Sequence, residues 1–142
     1  MINQIKLHNF GPLTGINWSS LGQINLVIGG NGSGKTFLLK AIYSSLRTLE
    51  EYKRGNEQRS ASEILADKLY WTFQAEKIGD LVSKGEDAPL SSAITIDKRN
   101  FTYSFGKDTS KQISSLENHV PPRASNSVFL PAKEVLSLHQ II

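Results

Sequence analysis

The sequence predicts an α/β fold: a core strand and a helix joined by a glycine-rich loop, with N-terminal antiparallel strands and an additional β-hairpin region. Three observations support this. An apolar run, a glycine-rich octapeptide and an amphipathic stretch follow one another over residues 24–49. Before them, residues 2–18 alternate between polar and apolar in the β period, and residues 93–105 repeat that alternation around a short polar turn.

The composition fits one globular domain. The chain has 142 residues, of which 39% are hydrophobic. It lacks cysteine, which excludes disulfides and thiolate metal sites. No run of about 18 apolar residues predicts a membrane helix, and residues 1–10 do not resemble a signal peptide, so a cytoplasmic location is expected. The net charge of +3 arises from interspersed charges, which permits contact with DNA without indicating it.

Two short strands are expected at the N-terminus. Apolar residues at alternating positions mark the first: Ile2, Ile5, Leu7 and Phe10. Gly11-Pro12 ends this strand, and residues 13–21 predict a second one around Ile16-Asn17-Trp18, antiparallel to the first. We interpret Trp18 as a half-buried sheet residue in preference to an adenine-stacking residue.

The next segment carries the most specific motif of the chain. Eight consecutive residues fit the P-loop (Walker A) pattern G-x-x-x-x-G-K-[ST]: Gly29, Gly30, Asn31, Gly32, Ser33, Gly34, Lys35 and Thr36. Glycines allow the positive φ angles with which backbone N–H groups surround a phosphate. Lys35 would contact the β- and γ-phosphates, and the Thr36 hydroxyl would bind Mg²⁺. The sequence has no Asn-Lys-x-Asp tetrapeptide, which argues against specificity for GTP.

Both flanks of the motif have the expected character. Residues 23–28 become continuously apolar, as a buried parallel strand does. From Lys35 onward, apolar residues at helical spacing predict one face of a helix: Leu38, Leu39, Ile42, Leu46 and Leu49. Polar residues are expected on its other faces: Lys40, Ser44, Arg47 and Glu50. A purely structural glycine-rich turn is disfavoured, because Lys35-Thr36 stands where phosphate chemistry requires it.

The middle of the chain predicts a loop and a second helix. Residues 50–59 are almost entirely polar, and the charged residues at this point are interpreted as a solvated helix end: Arg47, Glu50, Glu51, Lys53 and Arg54. Residues 60–63 have the form of a capping box, followed by an apolar stripe at Ile64, Leu65, Leu69 and Phe73. This helix is expected to resume through Ile78, Leu81 and Val82 and to end at residues 84–87.

Strands are expected in the remaining part. Residues 93–97 and 101–105 predict a hairpin around residues 98–100, and residues 111–116 predict a further strand through Ile113. The composition of residues 120–123 predicts a loop, and the apolar run at residues 127–130 predicts a short buried strand.

No catalytic residue is convincing. Asp97 is the only candidate for the acidic Mg²⁺ ligand at the end of a second core strand, but the hairpin alternation favours a structural role. The three histidines, His8, His119 and His139, are too scattered to indicate a metal site.

The order of these elements resembles the start of ABC-type ATPase heads of the RecF, SMC and OLD-like kind. The resemblance rests on residues 5–10, ending in Asn9-Phe10, on the P-loop form Asn-Gly-Ser-Gly-Lys-Thr, and on residues 127–137. It implies an incomplete P-loop NTPase that is ABC-ATPase-head-like. Where ABC proteins place a glutamine after the later strand, this chain has Ala132 or Lys133, and Gly11-Pro12 stands where relatives carry a basic residue.

Residues 136–140 lack the glycines of an ABC signature motif. We therefore expect residues 1–142 to be the N-terminal portion of a P-loop ATP-binding domain, truncated before the signature and Walker B motifs. Such a chain would bind Mg-ATP weakly and turn it over negligibly.

The resemblance implies ATP binding as part of an ATPase acting in DNA maintenance or phage defence. Its implied partners are a second ATPase head, as a homodimer, and possibly DNA, with no membrane. Two alternatives remain open: a protein-interaction or DNA-bridging module with a passive P-loop and, more weakly, a small-molecule kinase.

Overall fold

The computed structural model describes residues 2–19, 21–22, 34–85, 87–123 and 127. The predicted core strand at residues 23–28, most of the P-loop and the predicted strand at residues 128–130 lie outside the described residues.

The described strands form one antiparallel sheet. They are β1 (Ile2–Phe10), β2 (Leu13–Trp18), β3 (Leu90–Ile96), β4 (Arg99–Phe105) and β5 (Ser115–Asn118), in the spatial order β2-β1-β3-β4-β5. The predicted N-terminal pair and the predicted hairpin are both confirmed, but the hairpin is not a separate region. β3 pairs directly with β1, so the two predicted units share one sheet.

Alternation decides which face of the sheet is buried. In β1, Ile5 and Leu7 are buried while Lys6 and His8 are exposed. β3 and β4 repeat the pattern, and Trp18 on β2 is half-buried against the core, as predicted.

The hairpin turn is tighter than the predicted turn at residues 98–100. Ile96 pairs with Arg99, and both intervening residues, Asp97 and Lys98, have positive φ angles, as in a two-residue type I′ turn.

Two helices follow the predicted positions: α1 (Lys35–Glu51) and α2 (Ala61–Phe73). α2 begins with the predicted capping box, in which the Ser60 hydroxyl accepts from the N–H of Glu63 and the Glu63 carboxylate accepts from the N–H of Ser60.

The predicted apolar face of α1 is confirmed for Leu38 and Leu49, which are buried, and for Ile42 and Leu46, which pack partly buried against the core. Leu39 is the exception, because it is 43% exposed. Most of the deeply buried residues of α1 are small or polar: Ala41, Ser44, Ser45, Thr48, Leu49 and Glu50. The hydroxyls of Ser44 and Thr48 donate to helix carbonyls one turn earlier, each at 2.8 Å. Since these hydroxyls are satisfied within the helix, they can be buried at little cost.

Two further predictions were wrong in detail. The expected continuation of α2 is a 3-10 helix at Ile78–Leu81, because Gly79 lies against the backbone of Lys107 and Thr109 and its N–H donates to the Thr109 carbonyl. The strand expected through Ile113 is shifted to β5, and Ile113 is buried in the preceding loop. Neither helix in the described part of the chain combines the length and apolar character needed to cross a bilayer.

Candidate functional site

The structure describes three residues of the P-loop pattern: Gly34, Lys35 and Thr36. Gly29, Gly30, Asn31, Gly32 and Ser33 lie outside the described residues. These last three residues of the pattern occupy the start of α1, where the P-loop pattern places the beginning of a helix.

Gly34 has a backbone conformation and surroundings that a larger residue would not fit. Its φ of 89° lies in the left-handed region, and a Cβ at this position would stand 2.7 Å from Cδ2 of Leu13. The Gly34 carbonyl accepts the first helical hydrogen bond, from the N–H of Leu38 at 2.9 Å. The glycine therefore lets the chain enter α1 while the helix start packs directly on β2.

The first turn of α1 has the polarity of an anion site. N–H groups in the first turn of a helix have no acceptor within the helix, and the helix dipole places partial positive charge there. The first turn contains no acidic residue and includes Lys35, which is half-buried, and Thr36, which is exposed. These features fit phosphate groups, since nothing in the first turn would repel them.

The start of α1 is held by an aromatic cluster. The Phe37 ring contacts the ring of Phe10 edge-to-face at 6.0 Å between centroids, and both rings pack against Phe73 of α2. Gly11 has a φ of 56°, and a Cβ there would overlap the Phe37 ring. The Gly11-Pro12 turn is therefore the surface on which the helix start rests.

The same turn is fixed from its other side by residues 81–83. The N–H of Gly11 donates to the Leu81 carbonyl at 2.6 Å, and the Ser83 hydroxyl donates to the Gly11 carbonyl at 2.6 Å. Asn9 is only 1% exposed and has a φ of 55°, and its backbone carbonyl accepts a hydrogen bond from the N–H of Ser83. Side chains and backbone thus hold the turn below α1 in one arrangement.

Asp97 lies far from this site. It occupies the β3–β4 turn, where the N–H of the next residue, Lys98, donates to Asn3 at the start of β1. The start of α1 rests on Gly11, at the other end of β1. At roughly 3.3 Å per residue, these ends are about 25 Å apart, whereas a magnesium ligand must lie about 2 Å from the ion.

The other candidate residues are also dispersed. His8 is exposed on β1, His119 is exposed next to Glu117, and His139 lies outside the described residues. Within the described ranges, no group of three or more His, Asp or Glu side chains is arranged to hold a metal ion.

The charged cluster at the end of α1 contains a buried residue that the sequence pattern did not reveal. Glu50 is 1% exposed and forms an ion pair with Arg47 at 3.3 Å. Its carboxylate accepts the N–H of Ser127 at 2.7 Å and the Ser127 hydroxyl at 2.6 Å. The prediction of a fully solvated helix end is therefore wrong for Glu50, which holds the residue at which the later apolar strand was predicted to begin.

Glu51, on the neighbouring position, is partly exposed and links both helices. It contacts Arg47 at 3.0 Å, Lys68 of α2 at 2.6 Å and Arg59 at 3.7 Å. The far end of α1 is thus anchored by charge to α2 and by Glu50 to Ser127, while its near end carries Lys35 and Thr36.

Comparison with known proteins gives a structural likeness only. Neither protein-family models nor curated proteins match the sequence. A solved structure from work on the ATP-driven dimerization and DNA-stimulated activation of SMC ATPases matches with a TM-score of 0.57. The match covers 98% of this chain and 90% of the other, at 16% sequence identity.

The chain shares the overall fold of that solved structure. The likeness agrees with the ABC-type head that the sequence resemblance implied. At this level of identity it establishes the fold and leaves the activity to be tested.

Proposed function

We propose that the chain binds ATP with Mg²⁺ through residues 29–36 and is the N-terminal portion of an ABC-type ATPase. In this proposal Lys35 binds the β- and γ-phosphates, the Thr36 hydroxyl is a magnesium ligand, and the glycines supply backbone N–H donors. Magnesium would neutralise phosphate charge and orient the nucleotide.

The observation that carries the proposal is the start of α1. Gly34 is left-handed and closely packed, Lys35 and Thr36 open the helix, and the first turn carries no acid that would oppose a phosphate. The SMC ATPase fold supports the same interpretation, because it supplies a nucleotide-binding context for a motif that also fits by sequence.

The proposal extends to the rest of the catalytic machinery. Asp97 lies at the wrong end of the sheet, so this chain lacks a convincing acid for hydrolysis within its described residues. We propose that residues 1–142 precede the signature and Walker B motifs of the intact ATPase, which would act in DNA maintenance or phage defence. The solved structure comes from work on ATP-driven dimerization and DNA stimulation, which supports a second head and DNA as candidate partners here.

Calorimetric titration of the 142-residue chain with Mg-ATP tests the proposal. We expect weak but saturable binding that Lys35→Ala abolishes and that Lys107→Ala leaves unchanged, because Lys107 is an exposed lysine in the loop after β4. Phosphate release should stay at background.

Two outcomes would contradict parts of this proposal. Binding that survives Lys35→Ala, or no binding at all, would leave the P-loop as a passive remnant in an interaction or DNA-bridging module. Robust phosphate release would show that a catalytic carboxylate lies within the chain.

A further inference from the structure

Two exposed aromatic side chains, Tyr70 and Trp71, lie next to each other on α2 and are not part of the predicted P-loop. Trp71 is 68% exposed and Tyr70 is 36% exposed. Their rings meet edge-to-face, with centroids 5.2 Å apart and an interplanar angle of 89°. Tryptophan is highly buried on average, and Trp and Tyr are enriched among the residues that dominate binding energy at interfaces.

The indole of Trp71 is held in place before any partner arrives. Its Nε1–H donates to Oδ1 of Asp67 at 3.1 Å, one helical turn earlier. The other oxygen of Asp67 contacts Arg59 at 3.5 Å, which fixes the carboxylate in turn. A partner would therefore meet an ordered ring and would lose little binding free energy to the ordering of Trp71.

A cleft of about 450 Å³ lies beside these rings. Buried Ala66 and Ile78 contribute apolar surface, and one wall is formed by residues 110–112. Two carboxylates, Glu63 and Asp67, line the cleft together with a single cationic side chain, Lys111. The cleft is thus apolar and aromatic in its body and acidic in balance, although the chain as a whole has a net charge of +3.

We propose that this aromatic-acidic cleft, formed by Glu63, Asp67, Tyr70 and Trp71, binds an arginine side chain on a basic segment of a partner protein. A guanidinium group can stack on the indole face while its N–H groups donate to a carboxylate. Arginine fits better than lysine, because the guanidinium is planar and more weakly hydrated than an ammonium group. The inference goes beyond nucleotide binding and does not depend on it.

Charge decides against a nucleic acid as the occupant. Exposed aromatic rings also stack on unpaired bases, but sites of that kind pair the rings with a cationic groove that follows the phosphates. Here the cleft lining carries two carboxylates, Glu63 and Asp67, of which Asp67 also pairs with Arg59, and one cationic side chain, Lys111, so it does not offer the cationic groove that a phosphate backbone requires.

Fluorescence titration in the absence of nucleotide tests the inference. The chain has two tryptophans, so Trp18→Phe leaves Trp71 as the reporter. We expect hexa-arginine to change the Trp71 emission saturably and to bind more tightly than hexa-lysine, while hexa-glutamate has no effect. A thymidine oligonucleotide that changes the emission more strongly than hexa-arginine would overturn the proposal in favour of base stacking.

Variants in calorimetry complete the test. Trp71→Ala should weaken hexa-arginine binding about two- to fivefold, the loss expected for one exposed cation–π contact. Glu63→Gln should also weaken it, and glutamine preserves the capping box, so helix α2 remains intact. Leu39→Ala removes another exposed apolar side chain, on α1, and should leave binding unchanged. Equal binding by Trp71→Ala and the unmodified chain would overturn the proposal.

Discussion

Gly34 connects the predicted loop to α1 through a conformation that alanine does not favour. In Gly34→Ala the new Cβ would meet Leu13 at 2.7 Å while the φ of 89° stays in the left-handed region. We expect a loss of about 2–3 kcal/mol in the free energy of unfolding, from the backbone term and the overlap together. Urea denaturation of the variant and the unmodified chain measures this loss.

Gly55→Ala is the matched control for Gly34→Ala. Gly55 also has a positive φ, 57°, but a Cβ there would find open space. Gly55→Ala should therefore lower the free energy of unfolding only by the backbone contribution of about 1 kcal/mol. Equal losses at the two positions would mean that the start of α1 does not press against β2.

Glu50 is a buried carboxylate with three hydrogen-bonding contacts. Glu50→Gln replaces a charged acceptor by an amide whose NH₂ group would face the donors of Arg47 or Ser127. We expect a loss of roughly 2–4 kcal/mol in the free energy of unfolding. Denaturation midpoints measure it, and Glu117→Gln, the same change at a 79% exposed side chain, should not shift the midpoint. Equal midpoints for the two variants would refute the anchoring role of Glu50.

Arg59 controls the ionisation of Glu57 on the loop between the helices. Hydrogen bonds from Arg59, at 2.9 and 3.0 Å, lower the pKa of Glu57 from 4.5 to about 2. The lowered pKa means that this contact stabilises the fold fully above pH 4.5 and loses its contribution as the pH falls toward 2. In Arg59→Ala, an NMR titration should find the pKa of Glu57 raised toward 4.5. Arg54→Ala should leave it near 2, and a pKa that is equally low in both variants would contradict the assignment.

At the scale of elements, the periodicity of the sequence predicted which helices and strands exist better than it predicted which of their residues are buried. The strands β1 to β4 and both helices follow their expected positions, because each has a clear β or helical pattern. The apolar face of α1 was predicted correctly except for Leu39, but the burial of Ser44, Ser45 and Thr48 was not predicted, because these residues look polar in the sequence. The hydroxyls of Ser44 and Thr48 donate to helix carbonyls. Tyr103 on β4 is another buried polar residue. Burial raises the pKa of its hydroxyl above the usual range, and the hydroxyls of Ser92 on β3 and Ser45 on α1 lie next to it.

Lys98 offers a test of the hairpin turn between β3 and β4. Its φ of 67° is unfavourable for a side-chain-bearing residue and is the conformation that type I′ turns assign to glycine. We expect Lys98→Gly to raise the free energy of unfolding by about 0.5–1 kcal/mol, measured by denaturation. The control Lys107→Gly, in the loop after β4, should lower it, because glycine there only adds freedom to the unfolded chain. Destabilisation by Lys98→Gly would mean that the turn has another geometry.

At the scale of the whole molecule, the sequence predicted the N-terminal strand pair and the β3–β4 hairpin, but not that the two pair with each other in one sheet. The pairing of β1 with β3 brings together residues such as Ile5 and Ile94, and no local pattern encodes so distant a contact. The start of α1 at Lys35 was predictable, because the helical spacing of apolar residues begins there, directly after Gly34. The role of Glu50 was not, because it depends on Ser127, which the fold alone brings near.

Nucleotide binding should stabilise the whole chain, because the unfolded chain cannot form the P-loop. Mg-ATP at 100 times its Kd should add about 2.7 kcal/mol to the free energy of unfolding. For a domain of this size the increase corresponds to a rise of roughly 10 °C in Tm, measured by calorimetry. The rise should disappear in Lys35→Ala and persist in Lys107→Ala. If Mg-ATP raised the Tm of Lys35→Ala as much as that of the unmodified chain, the stabilising site would lie away from the start of α1.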